Sequence, residues 1–133
     1  MNPKAKIIHE RIRSGKLFTR EEFEELHGHA RRLYMDLAYA KAKSEWLEDL
    51  HDTDNFYCHC CKRGTNIHPH HIYAKGIAED WWYFQKENFY PVGSCCHPVK
   101  VHGGVRFAEI EKKLKEIKQK NENYKALHKR RSY

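Results

Sequence analysis

The chain has 133 residues, 40% hydrophobic and 32% charged, which leaves room for one domain with appended helices around a small core. A net charge of +7 favours an anionic partner such as nucleic acid. No window approaches the roughly 20 apolar residues of a membrane span, and the opening residues lack a signal-peptide apolar run. A cytoplasmic protein with no membrane partner is therefore expected.

The charge is unevenly placed. Residues 1–51 carry ten basic and nine acidic side chains, residues 52–104 five and five, and residues 105–133 ten and four. The basic surplus lies in the C-terminal segment.

In chain order, residues 4–13 predict a short helix with Ile7, Ile8 and Ile12 on one side, stopped at Ser14-Gly15. Thr19 and Glu22 have the capping-box spacing, in which hydroxyl and carboxylate each satisfy a free backbone N–H. Phe23, Leu26, Ala30, Leu33, Tyr34 and Leu37 follow at the three- and four-residue steps of one helix face. Gly28 is a candidate break in that run. The pattern continues through Ala38, Ala42, Trp46, Leu47 and Leu50 to about Asp52.

Lys62 to Asn66 has turn composition. Ile67–Tyr73 and Phe89–Val92 predict two strands, with the aromatic run Trp81-Trp82-Tyr83-Phe84 between them. Rings in such density belong to a core rather than to a stacking platform. Pro98 suits a first helical turn. From Val105 onward, Phe107, Ile110, Leu114 and Ile117 again mark a helix face. The last dozen residues, rich in Asn, Lys and Arg, are expected to fray until bound.

Residues 58–102 carry the chemistry-bearing side chains. All five cysteines lie there, with His59, His68, His70, His71, His97 and His102 of the eleven histidines. An odd number of cysteines, bunched as CHCC and CC, points to thiolate–metal chemistry rather than a disulfide framework. Cys58-x-x-Cys61 has the spacing that presents two sulfurs to one tetrahedral zinc. Cys96 and Cys95 are candidates for the rest of that structural site, and Cys60, His59 and water stay open for the fourth position. Gly93 stands where a second C-x-x-C pair would need a cysteine.

His70-His71 is followed by Asn88 seventeen residues on and by Cys96-His97, with His97 nine residues beyond Asn88. Adjacent histidines on a strand point to opposite faces, so one can bind metal while the other addresses substrate. The order Cys58-x-x-Cys61, His70-His71-Ile72, Glu87-Asn88-Phe89, Cys96-His97 and His102 resembles the HNH endonuclease family. The resemblance covers roughly a third of the chain, and within the family it is nearest a phage recombination-nuclease, NinG-like branch.

The resemblance implies an α+β fold in which a ββα-metal module, residues 56–133 with a basic C-terminal helix, carries an N-terminal helical segment, residues 1–55, packed upon it. It implies His71 as general base and Asn88 as the residue that orients it. His70 and His97, with His102 as third ligand, hold one divalent cation (Mn, Mg, Ni or Zn) beside a structural Zn. The implied reaction is hydrolysis of DNA, duplex or branched, leaving 5′-phosphate and 3′-hydroxyl ends. Lys75, Lys100, Arg106, Lys129, Arg130 and Arg131 are candidate phosphate contacts, by a monomer or a homodimer. The competing reading is a non-catalytic zinc module that binds nucleic acid. A second histidine beside His70 and an orienting Asn88 argue for the enzyme.

Overall fold

The computed structural model describes residues 2–59, 62, 66–74, 78–93 and 108–131. Helices and a two-stranded antiparallel sheet together make this an α+β chain. No helix among the described residues is long and apolar enough to cross a membrane.

The chain divides into two units. The first comprises Met1–Asn55 and Ala78–Lys86. Its helix α1, Pro3–Ser14, starts where the Asn2 side chain accepts from the Lys4 N–H at 2.8 Å. It stops at Gly15, whose φ of 78° is the left-handed cap that glycine takes without strain. Ile8 and Ile12 are buried, while Ile7 faces outward.

Helix α2, Arg20–Glu24, opens on the expected capping box. Glu22 N–H donates to Thr19 Oγ1 at 3.2 Å, and Thr19 N–H donates to Glu22 Oε1 at 2.9 Å. The same carboxylate takes both guanidinium nitrogens of Arg11, at 3.0 and 3.1 Å.

The Arg11 hydrogen bonds, followed by the Thr19 N–H, hold the Glu22 carboxyl at about 2, below its ordinary 4.5. A carboxyl depressed on folding adds stability above about pH 4.5, and that stability is lost as pH falls toward 2. Glu22→Gln is therefore expected to flatten the acid side of the thermal-stability profile between those limits. The change is small because the pair is solvent-exposed. An unchanged profile would remove this pair from the account of acid unfolding.

Gly28 does break the helical run. It opens α3, Gly28–Asp52, with φ at 57°, a value at which a β-carbon is strained. Tyr34, Ala38, Ala42 and Trp46 form the buried stripe of α3. Tyr34 OH accepts the Phe18 N–H at 2.9 Å, so its polar tip is satisfied inside the core.

Residues 78–86 group with these helices rather than with the flanking segments assigned to the 56–133 module. The cause is the aromatic run. A 3-10 turn at Asp80–Phe84 buries Trp82 and Phe84. Phe84 meets Phe23 and Tyr34 edge-on, with centroids 5.1 and 5.4 Å apart. Tyr83 stacks on Tyr39 at 4.7 Å. The run is core, as its density indicates. Arg31 ties the turn down through Asp80 at 3.0 Å.

The second unit comprises Phe56–Ile77 and Glu87–Tyr133. Strand β1, Ile67–His71, pairs antiparallel with β2, Phe89–Gly93, placing Ile67 opposite Gly93, His70 opposite Tyr90 and His71 opposite Phe89. Gly93 is thus a buried member of the strand. Helix α4, Ala108–Arg131, follows. Tyr90 OH of β2 donates to its Glu109 Oε2 at 3.1 Å, and its Lys120 pairs with Glu87 in the 3-10 turn just before β2.

The helix continues through the tail that composition marks as fraying. Side-chain pairs one turn apart support it there. Gln119 donates to Asn123 at 2.9 Å, and Tyr124 stacks on His128 with centroids 3.7 Å apart.

Candidate functional site

The site is built on the end of β1. Alternation along the strand puts His70 on the face of Tyr90 and His71 on the face of Phe89. His71 lies edge-on to the Phe89 ring, with centroids 5.5 Å apart at 84°, an arrangement that suits the aromatic quadrupole. Both histidines are half-buried, so each is supported by the sheet and still reachable.

Asn88 fixes the chain where it leaves the strand. Its side chain is 0% exposed. Its Oδ1 accepts the Tyr73 N–H at 2.6 Å, and its Nδ2 donates to the Tyr73 carbonyl at 3.1 Å. Its own carbonyl accepts the Ile72 N–H at 2.9 Å. Asn88 therefore acts as one more strand residue, carrying the pairing of β1 two residues past His71. Each buried backbone group satisfied in this way avoids a desolvation cost of about 1–3 kcal/mol. These bonds hold the backbone of Ile72 and Tyr73, the two residues that follow His71.

The other face of the sheet centres on Tyr90. Glu109 takes its hydroxyl, Lys113 Nζ lies 5.6 Å from its ring centroid, and the His59 ring meets it edge-on at 5.4 Å. His59 N–H also donates to the Pro91 carbonyl at 3.0 Å. His59 therefore buttresses β2, in addition to being one of the open zinc-ligand choices. Tyr90, Glu109 and the clasped Tyr73 are contributors that motif reading does not single out. Their only sequence signal is proximity to His71, to Asn88 or to the start of α4.

Cys58 is fully buried. Its carbonyl accepts the Lys62 N–H at 2.7 Å, and Lys62 has φ at 67°. The imidazoles of His70 and His71 suit borderline divalent cations better than hard ones. The donors described here thus have the chemistry that a metal asks for.

Among the described residues, no three His, Cys, Asp or Glu side chains gather into a metal-binding group. Cys60, Cys61, Cys95, Cys96, His97 and His102 lie outside the described residues, as do Lys75, Lys100 and Arg106. The side chains of Lys129, Arg130 and Arg131 are likewise outside. The structure therefore brings together His70, His71 and Asn88 at one strand end, with Cys58 in the same unit. Comparison with protein-family models, with curated proteins and with solved structures gave no match.

Proposed function

We propose that the chain is a metal-dependent HNH-type endonuclease that hydrolyses DNA phosphodiester bonds. The observation that carries the reading is the Asn88 clasp on Tyr73, which pins the strand end bearing His70 and His71. A catalytic base needs its position held by a further group, and a fully buried asparagine is a costly residue unless its amide is used.

In this reading β1, β2 and the helical segment after them form a ββα-metal module. His71, in its neutral form, takes a proton from water as that water attacks phosphorus. The bond to the 3′-oxygen then breaks, leaving a 5′-phosphate and a 3′-hydroxyl. His70 and His97, with His102, would hold one divalent cation, which supplies charge stabilisation at the phosphate oxygens and the departing oxygen. Cys58 and Cys61, with Cys96 and Cys95, would hold a structural zinc that stabilises a small core. Lys75, Lys100, Arg106 and the Lys129-Arg130-Arg131 run would contact phosphates.

The product ends test this chemistry. Plasmid nicked by the protein is expected to be resealed by DNA ligase, which joins only a 5′-phosphate to a 3′-hydroxyl. Nicks that ligase cannot close would rule out the proposed cleavage step.

A further inference from the structure

Beyond the sheet and α4, the cations of the first unit differ in whether a carboxylate faces them. Arg11, Arg20, Arg31, Lys41 and Lys86 each face a carboxylate: Glu22, Glu24, Asp80 and Glu45 at 3.0 to 3.7 Å, with Lys41–Glu45 at 3.8 Å. These are structural pairs. Among the described residues, Lys4, Lys6, Arg13 and Lys16, all on α1 or its exit turn, are exposed and have no carboxylate within 4.0 Å, as is also true of Arg32 on α3; only the α1 set is clustered.

Helix stability does not account for all of this set. Arg13 suits the C-terminal end of α1, but Lys4 and Lys6 stand in or beside the first turn, which contains no acidic residue. A cation there opposes the helix dipole. Lys6 and Arg13 lie seven residues apart, about 10.5 Å along one face. Glu10 stands between them without an ion pair to either. Residues 1–16 hold five basic side chains and one acidic, a local excess of +4, whereas the rest of the unit, residues 17–55 and 78–86, holds six basic and twelve acidic.

From this cluster we infer that α1 is a second nucleic-acid contact, binding the phosphate backbone through Lys4, Lys6, Arg13 and Lys16. Unpaired exposed cations are the electrostatic footprint of a polyanion partner. An anionic membrane surface is the less suitable partner. Interfacial helices insert an apolar face, and the apolar face of α1, Ile8 and Ile12, is buried within its own unit. Ile7 and Leu17, 53% and 47% exposed, are left as isolated apolar contacts.

The test is binding of a fluorescein-labelled DNA duplex, followed by anisotropy as a function of salt with EDTA present. Cleavage is silent under those conditions, so the outcome is independent of the nuclease reading. With Lys4→Gln, Lys6→Gln, Arg13→Gln and Lys16→Gln combined, the slope of log affinity against log salt is expected to become shallower by about 3–4. Lys41→Gln, which removes a cation already paired with Glu45, should leave the slope unchanged. Glu10→Lys adds a cation to the face and should steepen it by about 1, a gain that misfolding cannot mimic. An unchanged slope in the fourfold variant together with no gain from Glu10→Lys would overturn the inference. So would loss of binding to phosphatidylserine-containing vesicles with DNA binding intact.

Discussion

Replacing His71 with alanine is expected to slow DNA cleavage by about 10²–10⁴-fold, the contribution typical of a positioned general base. The expectation follows from where the ring sits. It is half-buried at the end of β1, braced edge-on by Phe89 at 5.5 Å, on a strand whose exit is clasped by Asn88. Removing the ring also forfeits that aromatic contact, about 0.5–1.5 kcal/mol of stability, so the rate is to be compared at matched folded fraction. Added imidazole separates the two effects. A small-molecule base entering the vacated space should restore part of the His71→Ala rate and leave the wild-type rate unchanged. If His71→Ala cleaves as fast as wild type, His71 is not the base.

Asn88→Ala should destabilise the second unit by about 1–3 kcal/mol, because the part-buried Tyr73 N–H and carbonyl both lose the partner that the fully buried Asn88 side chain supplies. Urea unfolding followed by circular dichroism reads this directly. Asn88→Asp is the sharper variant. It keeps the size of the side chain and the acceptor for Tyr73 N–H, but turns a carboxylate toward the Tyr73 carbonyl where a donor stood. It should therefore destabilise at least as much as alanine does. Wild-type stability in Asn88→Asp would mean that the clasp is not what holds the strand end.

Local chemistry made much of the fold legible in the sequence. The Thr19–Glu22 capping box, the stop at Gly15 and the break at Gly28 depend on a few neighbouring residues, and the structure has all three. The two strands around His70 and Phe89 were equally readable, and His70 and His71 alternate across the sheet as the period of two requires.

Long-range packing was less so. Residues 78–86 look like an insertion within the 56–133 segment, yet their rings find Phe23, Tyr34 and Tyr39 some fifty residues earlier. Only three-dimensional proximity reveals such a choice. The spacing of Asn88 from His71 marks it as a candidate site residue, but its bonds to the Tyr73 backbone carry no side-chain signature at residue 73. The polar tail of α4 stays helical through pairs such as Tyr124–His128, which composition alone underweights.

The central claim is tested most directly by incubating metal-stripped wild-type protein with supercoiled plasmid and adding Mn²⁺, Mg²⁺, Ni²⁺ or Zn²⁺ one at a time. Relaxed circles that form with at least one cation, and disappear when EDTA is restored, are the predicted result. Plasmid that stays supercoiled with every cation, together with intact linear and branched DNA under the same conditions, would contradict the account.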